Sequence, residues 1–176
     1  MIDFPSSALS LAGFVLAHAA WNVSDTAEDE LLCPLAIVEE VGGGHRLLRF
    51  EADTQESAIE SGKATMREAA ASAAAWAFAR EGAWHRADMT EQQDVLTVDF
   101  WARGMASEAT LLQPFERSKP GGQFRLLGDQ ALVVDGRMVS GSEAAKSLQA
   151  IKDGAMTHPA VADLWALWLR DQTSRP

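Results

Sequence analysis

Cysteine and tyrosine are nearly missing from this chain: its 176 residues include one cysteine, Cys33, and no tyrosine. A single cysteine excludes an internal disulfide framework and a cysteine-rich zinc site. A chain of this length buries about 70% of its unfolded surface in one core, so it needs neither of these supports. We therefore expect one domain over residues 1–176, with Cys33 as a small buried side chain and with no metal or cofactor.

Positive charge is also scarce, since 15 Lys and Arg residues stand against 25 Asp and Glu residues, a net charge of −10. This balance argues against nucleic acid or an anionic membrane as a partner and leaves a basic protein partner open. The chain holds 31 alanines, 11 arginines, four lysines and one asparagine, a composition typical of GC-rich bacterial genomes. The missing tyrosine is therefore attributed to codon usage rather than to function.

The start of the chain lacks Lys and Arg, although the apolar segment from Leu9 to Trp21 (LSLAGFVLAHAAW) otherwise resembles an export signal. Asp3 is the only charged side chain before it. The segment is also shorter than the ~20 apolar residues that a bilayer core requires. Ser6 or Ser7 can instead cap a helix that is apolar on nearly all sides. We expect a buried core helix in a soluble, cytoplasmic protein that does not bind membranes.

Extended segments make up most of the middle of the chain. The segments 31–40 and 45–52 flank three consecutive glycines and predict a hairpin. A phosphate-binding loop is disfavoured because this glycine run leads into a strand rather than into a helix. Further strands are predicted at 83–87, 95–103, 109–117, 124–127 and 131–134, with a small hairpin through Asp135-Gly136 to residue 139. Pro114 predicts an edge strand or a bulge for the segment 109–117.

The longest predicted helix runs from residue 55 to residue 81. Asp53 or Thr54 can cap its start, and Gly82 can end it. Its second half, AAASAAAWAFA, holds eight alanines, and alanine has the highest helix propensity of all residues. We therefore expect one long helix across this whole segment.

The end of the chain predicts two more helices, over 143–152 and from about 158 to 171. Ser142 and Gly154 are the expected cap and end of the first, and Pro159 suits the first turn of the second. The predicted order of elements is α–β–β–α–β–β–β–(β–β)–α–α. Consecutive strands with short connections favour a single α+β domain, with a largely antiparallel sheet and helices packed mainly on one face.

Catalytic candidates are few. No histidine stands four residues from another histidine or from the cysteine, so the sequence contains no local metal site. His85 and Asp99 lie on two predicted strands, and if these strands pair, a His–Asp couple can form half of a general-base arrangement. A cross-strand surface ion pair is the simpler interpretation, since no nucleophile motif accompanies them. His18, on an aromatic helix face, is a third candidate, but it is better interpreted as a hydrogen-bonded core side chain.

Six tryptophans are the most unusual feature of the composition. Trp165 and Trp168 lie three residues apart on the last predicted helix, with Leu164 beside them. Tryptophan is enriched among the anchors of protein interfaces, and it also fills cores because it buries a large area. Both interpretations stay open, and the three residues are our candidate interface.

These observations predict a non-catalytic interaction or accessory protein, of an immunity-like kind or a self-associating one. Such a protein would expose an apolar patch of more than a few hundred Å² around Trp165 and Trp168, facing a second copy or another protein. The alternative is a small-ligand-binding protein or a hydrolase-like enzyme. Its pocket would lie between sheet and helix, where His18, His85 and Asp99 would meet.

Overall fold

The computed structural model describes residues 3–85, 87, 90–117, 123–128 and 130–169. The helices among them are α1 Ser6–Ser24, α2 Gln55–Ala69, α3 Gly141–Ala155 and α4 Ala162–Leu169. The strands are β1 Leu35–Glu40, β2 His45–Arg49, β3 Ala73–Trp84, β4 Gln93–Ala102, β5 Ala109–Glu116, β6 Arg125–Leu126, β7 Ala131–Val134 and β8 Arg137–Met138.

These strands form one antiparallel sheet in the order β2-β1-β3-β4-β5-β7-β8, with β6 paired to the end of β5. Helices α1, α3 and α4 share one large core with one face of the sheet. Helix α2 packs on the opposite face, against β1 and β3. The predicted α+β architecture is confirmed, with its antiparallel sheet and its helices mainly on one face.

Helix α1 is the buried helix that the apolar N-terminal segment predicts. It crosses β3 and β4 and packs along α3, with Leu16 and Ala20 completely buried. The predicted serine cap is wrong: Pro5 precedes the helix, and no side chain caps its first turn. Within the described residues, no helix is long and apolar enough to cross a membrane.

The long helix predicted over 55–81 is wrong in its second half. Helix α2 is capped by the Thr54 hydroxyl, as predicted, but it ends at Ala69. The alanine-rich segment that follows is β3, which pairs with β1 on one side and with β4 on the other. The short strand predicted at 83–87 begins in the last two residues of β3, and residue 86 lies outside the described residues.

The alternation of side chains along β3 explains this outcome. Ala75, Ala77 and Ala79 face α1, where their small side chains let the helix lie close to the sheet. Trp76 and Phe78 point to the opposite face and pack in the cluster under α2. The segment is thus a strand buried on both sides, because packing between distant elements outweighs the helix propensity of alanine.

Pro114 lies in the interior of the sheet, which corrects the predicted edge position, because β5 has β4 on one side and β6 and β7 on the other. Its carbonyl accepts a hydrogen bond from the backbone N of Leu127 at 2.9 Å. A proline has no N–H to donate in return. The buried Gln113 amide takes this role, since its Nε2 donates to the carbonyl of Leu127 at 2.6 Å. A side chain therefore completes the strand pairing that the proline interrupts.

The C-terminal helices differ from prediction in their bounds. Helix α3 follows Ser140 instead of Ser142, and Gly154 lies inside it rather than at its end. Gly154 is needed there because its Cα faces the backbone of Ser10 on α1 without room for a Cβ. Helix α4 begins at Ala162, and the predicted end at residue 171 lies outside the described residues.

Candidate functional site

The sequence candidates His18, His85 and Asp99 lie in three separate places. Asp99 on β4 is opposite Phe78 of β3, whereas the exposed His85 follows Trp84, the last residue of that strand. At ~3.3 Å per residue along a strand, His85 is about 20 Å from Asp99. The predicted His–Asp couple is therefore wrong, although the two strands do pair.

His18 contacts another histidine, His158, in the turn between α3 and α4. The Nδ1 atom of His18 lies 3.0 Å from the Nε2 atom of His158. The rings of Phe14 and Trp21 pack on the pair, with centroids 4.9 Å and 5.8 Å from that of His158. His18 is thus a hydrogen-bonded side chain in an aromatic environment, as predicted for its helix face.

Neighbouring hydrogen bonds assign the protons of the two imidazoles. The backbone N–H of Ala160 donates to Nδ1 of His158 at 3.3 Å, so neutral His158 carries its proton on Nε2 and donates it to His18. His18 then carries its own proton on Nε2, a buried atom without a partner among the described residues. Burial lowers the pKa of both histidines, and the charges of His158 and Arg49 lower the pKa of His18 further. The neutral pair therefore joins α1 to the α3–α4 turn.

Trp165 and Trp168 are buried in this fold, with only 3% and 6% of their surface exposed. Trp168 packs edge-on against Phe124, with ring centroids 5.0 Å apart, and Leu164 is half-buried against the same core. The exposed patch predicted around these side chains is wrong, because α4 turns both tryptophans inwards. Contact of α4 with a partner stays a prediction, for which α4 offers the exposed Leu167.

A cavity of about 220 Å³ lies between α2 and the sheet, on the face opposite α1. We call it the α2 cavity. At about 30 Å³ per water, it has room for about seven waters. The sequence alternative predicts a pocket between sheet and helix where His18, His85 and Asp99 meet, but of these three only Asp99 lines this cavity. Its lining residues are Lys63, Met66, Arg67, Trp76, Phe78, Asp99 and Glu108.

Asp99 is the sequence candidate that lines this cavity, and it is 5% exposed. Its Oδ2 atom forms an ion pair with Arg80 of β3. Its Oδ1 atom accepts a hydrogen bond of 2.7 Å from the hydroxyl of Thr110 on β5. Because both oxygens are engaged and Arg80 offsets the charge, Asp99 is a fixed structural anion rather than a free general base.

Trp76 lines the same cavity and is 4% exposed. Its indole Nε1 is buried and has no hydrogen-bond partner among the described residues. A buried N–H without an acceptor costs about 1–3 kcal/mol, so native proteins rarely keep one. The alanine-rich composition around Trp76 predicts a helix remote from Asp99, so sequence reasoning does not identify this residue as part of the site. The sequence does contain one indication of a strand here, because the large side chains of Trp76 and Phe78 alternate with small alanines.

Two larger cavities open elsewhere on the described part of the chain. One of about 820 Å³ lies beside the β7–β8 hairpin and includes the exposed Arg137 and Met138. The other, of about 470 Å³, lies between α1 and the β1–β2 hairpin, and both apolar residues such as Phe14 and Ile37 and polar ones such as Glu39 and His45 line it. Neither contains a buried polar atom that lacks a partner. The α2 cavity, with Trp76, is therefore the best-defined candidate site.

In the ranges that the structure describes, no group of three or more His, Cys, Asp or Glu side chains is placed to hold a metal ion. Comparison of the chain with protein-family models, with curated proteins and with solved structures finds no match.

Proposed function

We propose that this protein binds a small molecule in the α2 cavity. The observation that carries the proposal is the buried indole N–H of Trp76, which has no acceptor in the described structure. Trp76 lines the cavity, so a ligand that moves its ring can present a hydrogen-bond acceptor to this donor. The lining supports such a ligand, because the apolar side chains of Met66 and Phe78 lie beside charged ones. Small-molecule sites typically combine an apolar wall with a few placed polar groups.

The lining favours binding without catalysis. Its described side chains include no serine, cysteine or histidine, the groups that most often attack a substrate or transfer its proton. Of its two carboxylates, Asp99 is already engaged by Arg80 and Thr110, and Glu108 is exposed to water. We therefore propose a binding protein, and the hydrolase-like enzyme is the less supported alternative.

The interaction module predicted from the sequence is the second proposal. Exposed apolar side chains support it, among them Trp21 on α1 and Leu47 on β2, the strand at one edge of the described sheet. Arg46 and Arg49 flank Leu47, however, and charges of this kind usually protect an edge strand from pairing. Light scattering tests self-association: a native dimer that becomes a folded monomer in Leu47→Asp supports it, and a monomeric native protein rejects it.

We propose that the protein works in the cytoplasm, in line with the sequence expectation. The unpaired thiol of Cys33 is half-buried and is compatible with a reducing compartment. Cell fractionation tests this assignment, and recovery of the protein from exported or membrane fractions would contradict it.

Nuclear magnetic resonance tests the binding proposal directly, because each tryptophan contributes one indole N–H signal to a nitrogen–proton correlation spectrum. Loss of one signal in Trp76→Phe assigns Trp76, and loss of another in Trp21→Phe assigns Trp21, which lies on α1 at the opposite face of the sheet and is 38% exposed. We then expect ligands from a library of small polar compounds to shift the Trp76 signal and to leave the Trp21 signal in place.

The controls distinguish the cavity from other surfaces. Trp76→Phe keeps the aromatic side chain and removes the donor, so it is expected to weaken the binding of any compound that shifts the Trp76 signal. Trp21→Phe is expected to bind the same compounds as the native chain does. If no compound binds, or if bound compounds never shift the Trp76 signal, the proposed function is wrong.

A further inference from the structure

We propose that the ligand of the α2 cavity is a small organic carboxylate, held by Lys63 and Arg67 of α2, two cations without a partner among the described residues. This inference depends on the proposed function and adds the chemical class of the ligand. Its basis is the distribution of paired and unpaired charges around the described part of the cavity.

Two cations line the α2 side of the cavity. Lys63 and Arg67 are four residues apart, so they lie on the same face of the helix. Both line the cavity, both are exposed, and neither has an ion-pair or hydrogen-bond partner among the described residues. Two unpaired positive charges on one wall attract an anion, and the guanidinium of arginine matches the two oxygens of a carboxylate.

The two acidic side chains of the lining differ in what they offer a ligand. The charge of Asp99 is offset by its ion pair with Arg80, so its effect on an anion in the cavity is small. Glu108 precedes β5, is exposed and has no described partner, so its charge opposes an anion. Within the described ranges, two cations and one carboxylate of the lining have no ion-pair partner, which leaves the cavity net positive. An anionic ligand is therefore favoured over a cationic one.

The buried side chains of the lining determine which group the carboxylate ligand can carry. Trp76 is one of them and has its indole Nε1 buried. Met66 is 2% exposed and Phe78 is 1% exposed, which makes the adjoining wall apolar. Helix α2 packs closely on this wall, because Gly62 lies directly against the ring of Phe78 with no room for a Cβ. A carboxylate that carries a compact apolar group matches both the cations and this wall.

Three probes of nearly equal shape test the charge: benzoate, benzamide and benzylamine. Each is titrated into the native protein while the Trp76 indole signal is followed. We expect benzoate to bind about tenfold or more tightly than benzamide, since a hydrogen bond to a charged group is stronger than one to a neutral group. We expect benzylamine to bind most weakly. Added salt is expected to weaken benzoate binding and to leave benzamide binding nearly unchanged.

Charge variants provide the matched test. Lys63→Gln and Arg67→Gln are each expected to weaken benzoate binding about two- to fivefold, the range for exposed charge pairs. Glu108→Gln is expected to strengthen it by a similar factor. Lys146→Gln, which removes an exposed cation on α3 far from the cavity, is the control and is expected to have no effect. Benzamide binding is expected to be the same in all four variants.

The outcomes separate this inference from the proposed function. If other compounds shift the Trp76 signal but benzoate does not, the carboxylate assignment is wrong and the binding function stands. The same holds if benzylamine binds best and Glu108→Gln weakens its binding. If no compound of any charge shifts the Trp76 signal, the binding function itself is wrong and the carboxylate assignment fails with it.

Discussion

Trp76 and Trp101 lie directly opposite each other on β3 and β4, but only one of their indole N–H groups has an acceptor in the described structure. Trp101 donates to the carbonyl of Met105 at 3.3 Å, whereas the Nε1 of Trp76 has no partner. Trp76 is also the more deeply buried of the two, with 4% of its surface exposed. Burial therefore predicts that replacing Trp76 lowers the free energy of unfolding more. Hydrogen bonding predicts that replacing Trp101 lowers it more.

We expect Trp76→Phe to lower the free energy of unfolding less than Trp101→Phe does. Replacement of Trp76 removes a donor that costs about 1–3 kcal/mol while it is unsatisfied. Replacement of Trp101 instead removes a hydrogen bond worth about 1 kcal/mol. Urea unfolding of the ligand-free variants measures the difference. A larger loss in Trp76→Phe would show that burial alone decides, and that the Trp76 donor finds a partner within the protein.

The His18–His158 pair predicts a fall in stability at mildly acidic pH. The pKa of each histidine is lowered in the folded protein from the ordinary value of 6.5. Between the lowered pKa and 6.5, the unfolded chain therefore binds more protons than the folded protein, so acid favours unfolding. The contribution of the pair to stability is complete above about pH 6.5 and declines as pH falls through the folded pKa values.

Thermal unfolding between about pH 7.5 and about pH 5.5 measures this effect. We expect the melting temperature of the native protein to fall over this range, and His158→Gln to show a smaller fall because one titrating ring is gone. His85→Gln, which replaces an exposed histidine outside the pair, is expected to behave like the native protein. An equal pH dependence in His158→Gln and the native chain would mean that other groups cause the acid response.

Gly13 of α1 and Gly154 of α3 lie where the two helices touch. A Cβ on Gly13 would overlap the backbone of Ile151, and a Cβ on Gly154 would overlap the backbone of Ser10. We expect Gly13→Ala to lower the free energy of unfolding by about 3 kcal/mol, because backbone atoms cannot move aside as a flexible side chain can. Chemical denaturation followed by circular dichroism measures this loss.

The control for this contact is Gly42→Ala, at a site with no atom within 4 Å of the added carbon. It is expected to change the free energy of unfolding by less than about 0.5 kcal/mol. A Gly13→Ala protein as stable as Gly42→Ala would contradict the close approach of α1 and α3.

The ion pair between Glu81 of β3 and Arg117 is buried, with side chains 8% and 10% exposed. Glu81 also accepts a hydrogen bond from the backbone N of Leu32 at 2.6 Å, and Arg117 donates to the hydroxyl of Thr26 at 2.9 Å. The pair thus holds the segment between α1 and β1 against the sheet. We expect Glu81→Ala to lower the free energy of unfolding by about 3–5 kcal/mol, because it leaves a buried guanidinium unpaired.

A double-mutant cycle isolates this pair. The combined Glu81→Ala and Arg117→Met variant is expected to lose less stability than the sum of the two single losses, since no unpaired charge remains buried. Glu40→Ala breaks the exposed Arg46–Glu40 pair, whose side chains are 55% and 35% exposed, and is expected to cost less than about 1 kcal/mol. Additive losses at Glu81 and Arg117 would contradict their coupling.

Local patterns predicted several elements correctly. The hairpin of β1 and β2 follows from two extended segments around a glycine run, and the structure places Glu39 opposite His45. Strand β4 follows from alternation of apolar and polar residues between 95 and 103. In each case the pattern repeats over a few neighbouring residues, and the distance between interacting residues along the chain is short.

The alanine-rich segment shows where such patterns fail. Its composition favours a helix when each residue is considered alone. In the protein, Ala77 contributes to the core beside α1, while Trp76 packs under α2 on the other face of the sheet. The choice between helix and strand thus depends on two helices that are distant in the sequence, and the candidate site was missed for the same reason.

By itself, the sequence determined a buried first helix, a mainly antiparallel sheet and an acidic chain without an internal disulfide, since these follow from composition and from the spacing of nearby residues. Only the tertiary structure decided that Ala73–Trp84 is a strand, that Trp165 and Trp168 are core residues, and that Trp76 and Asp99 line one cavity. These properties arise from contacts between segments far apart in the chain, and their energies depend on which surfaces meet rather than on local preference.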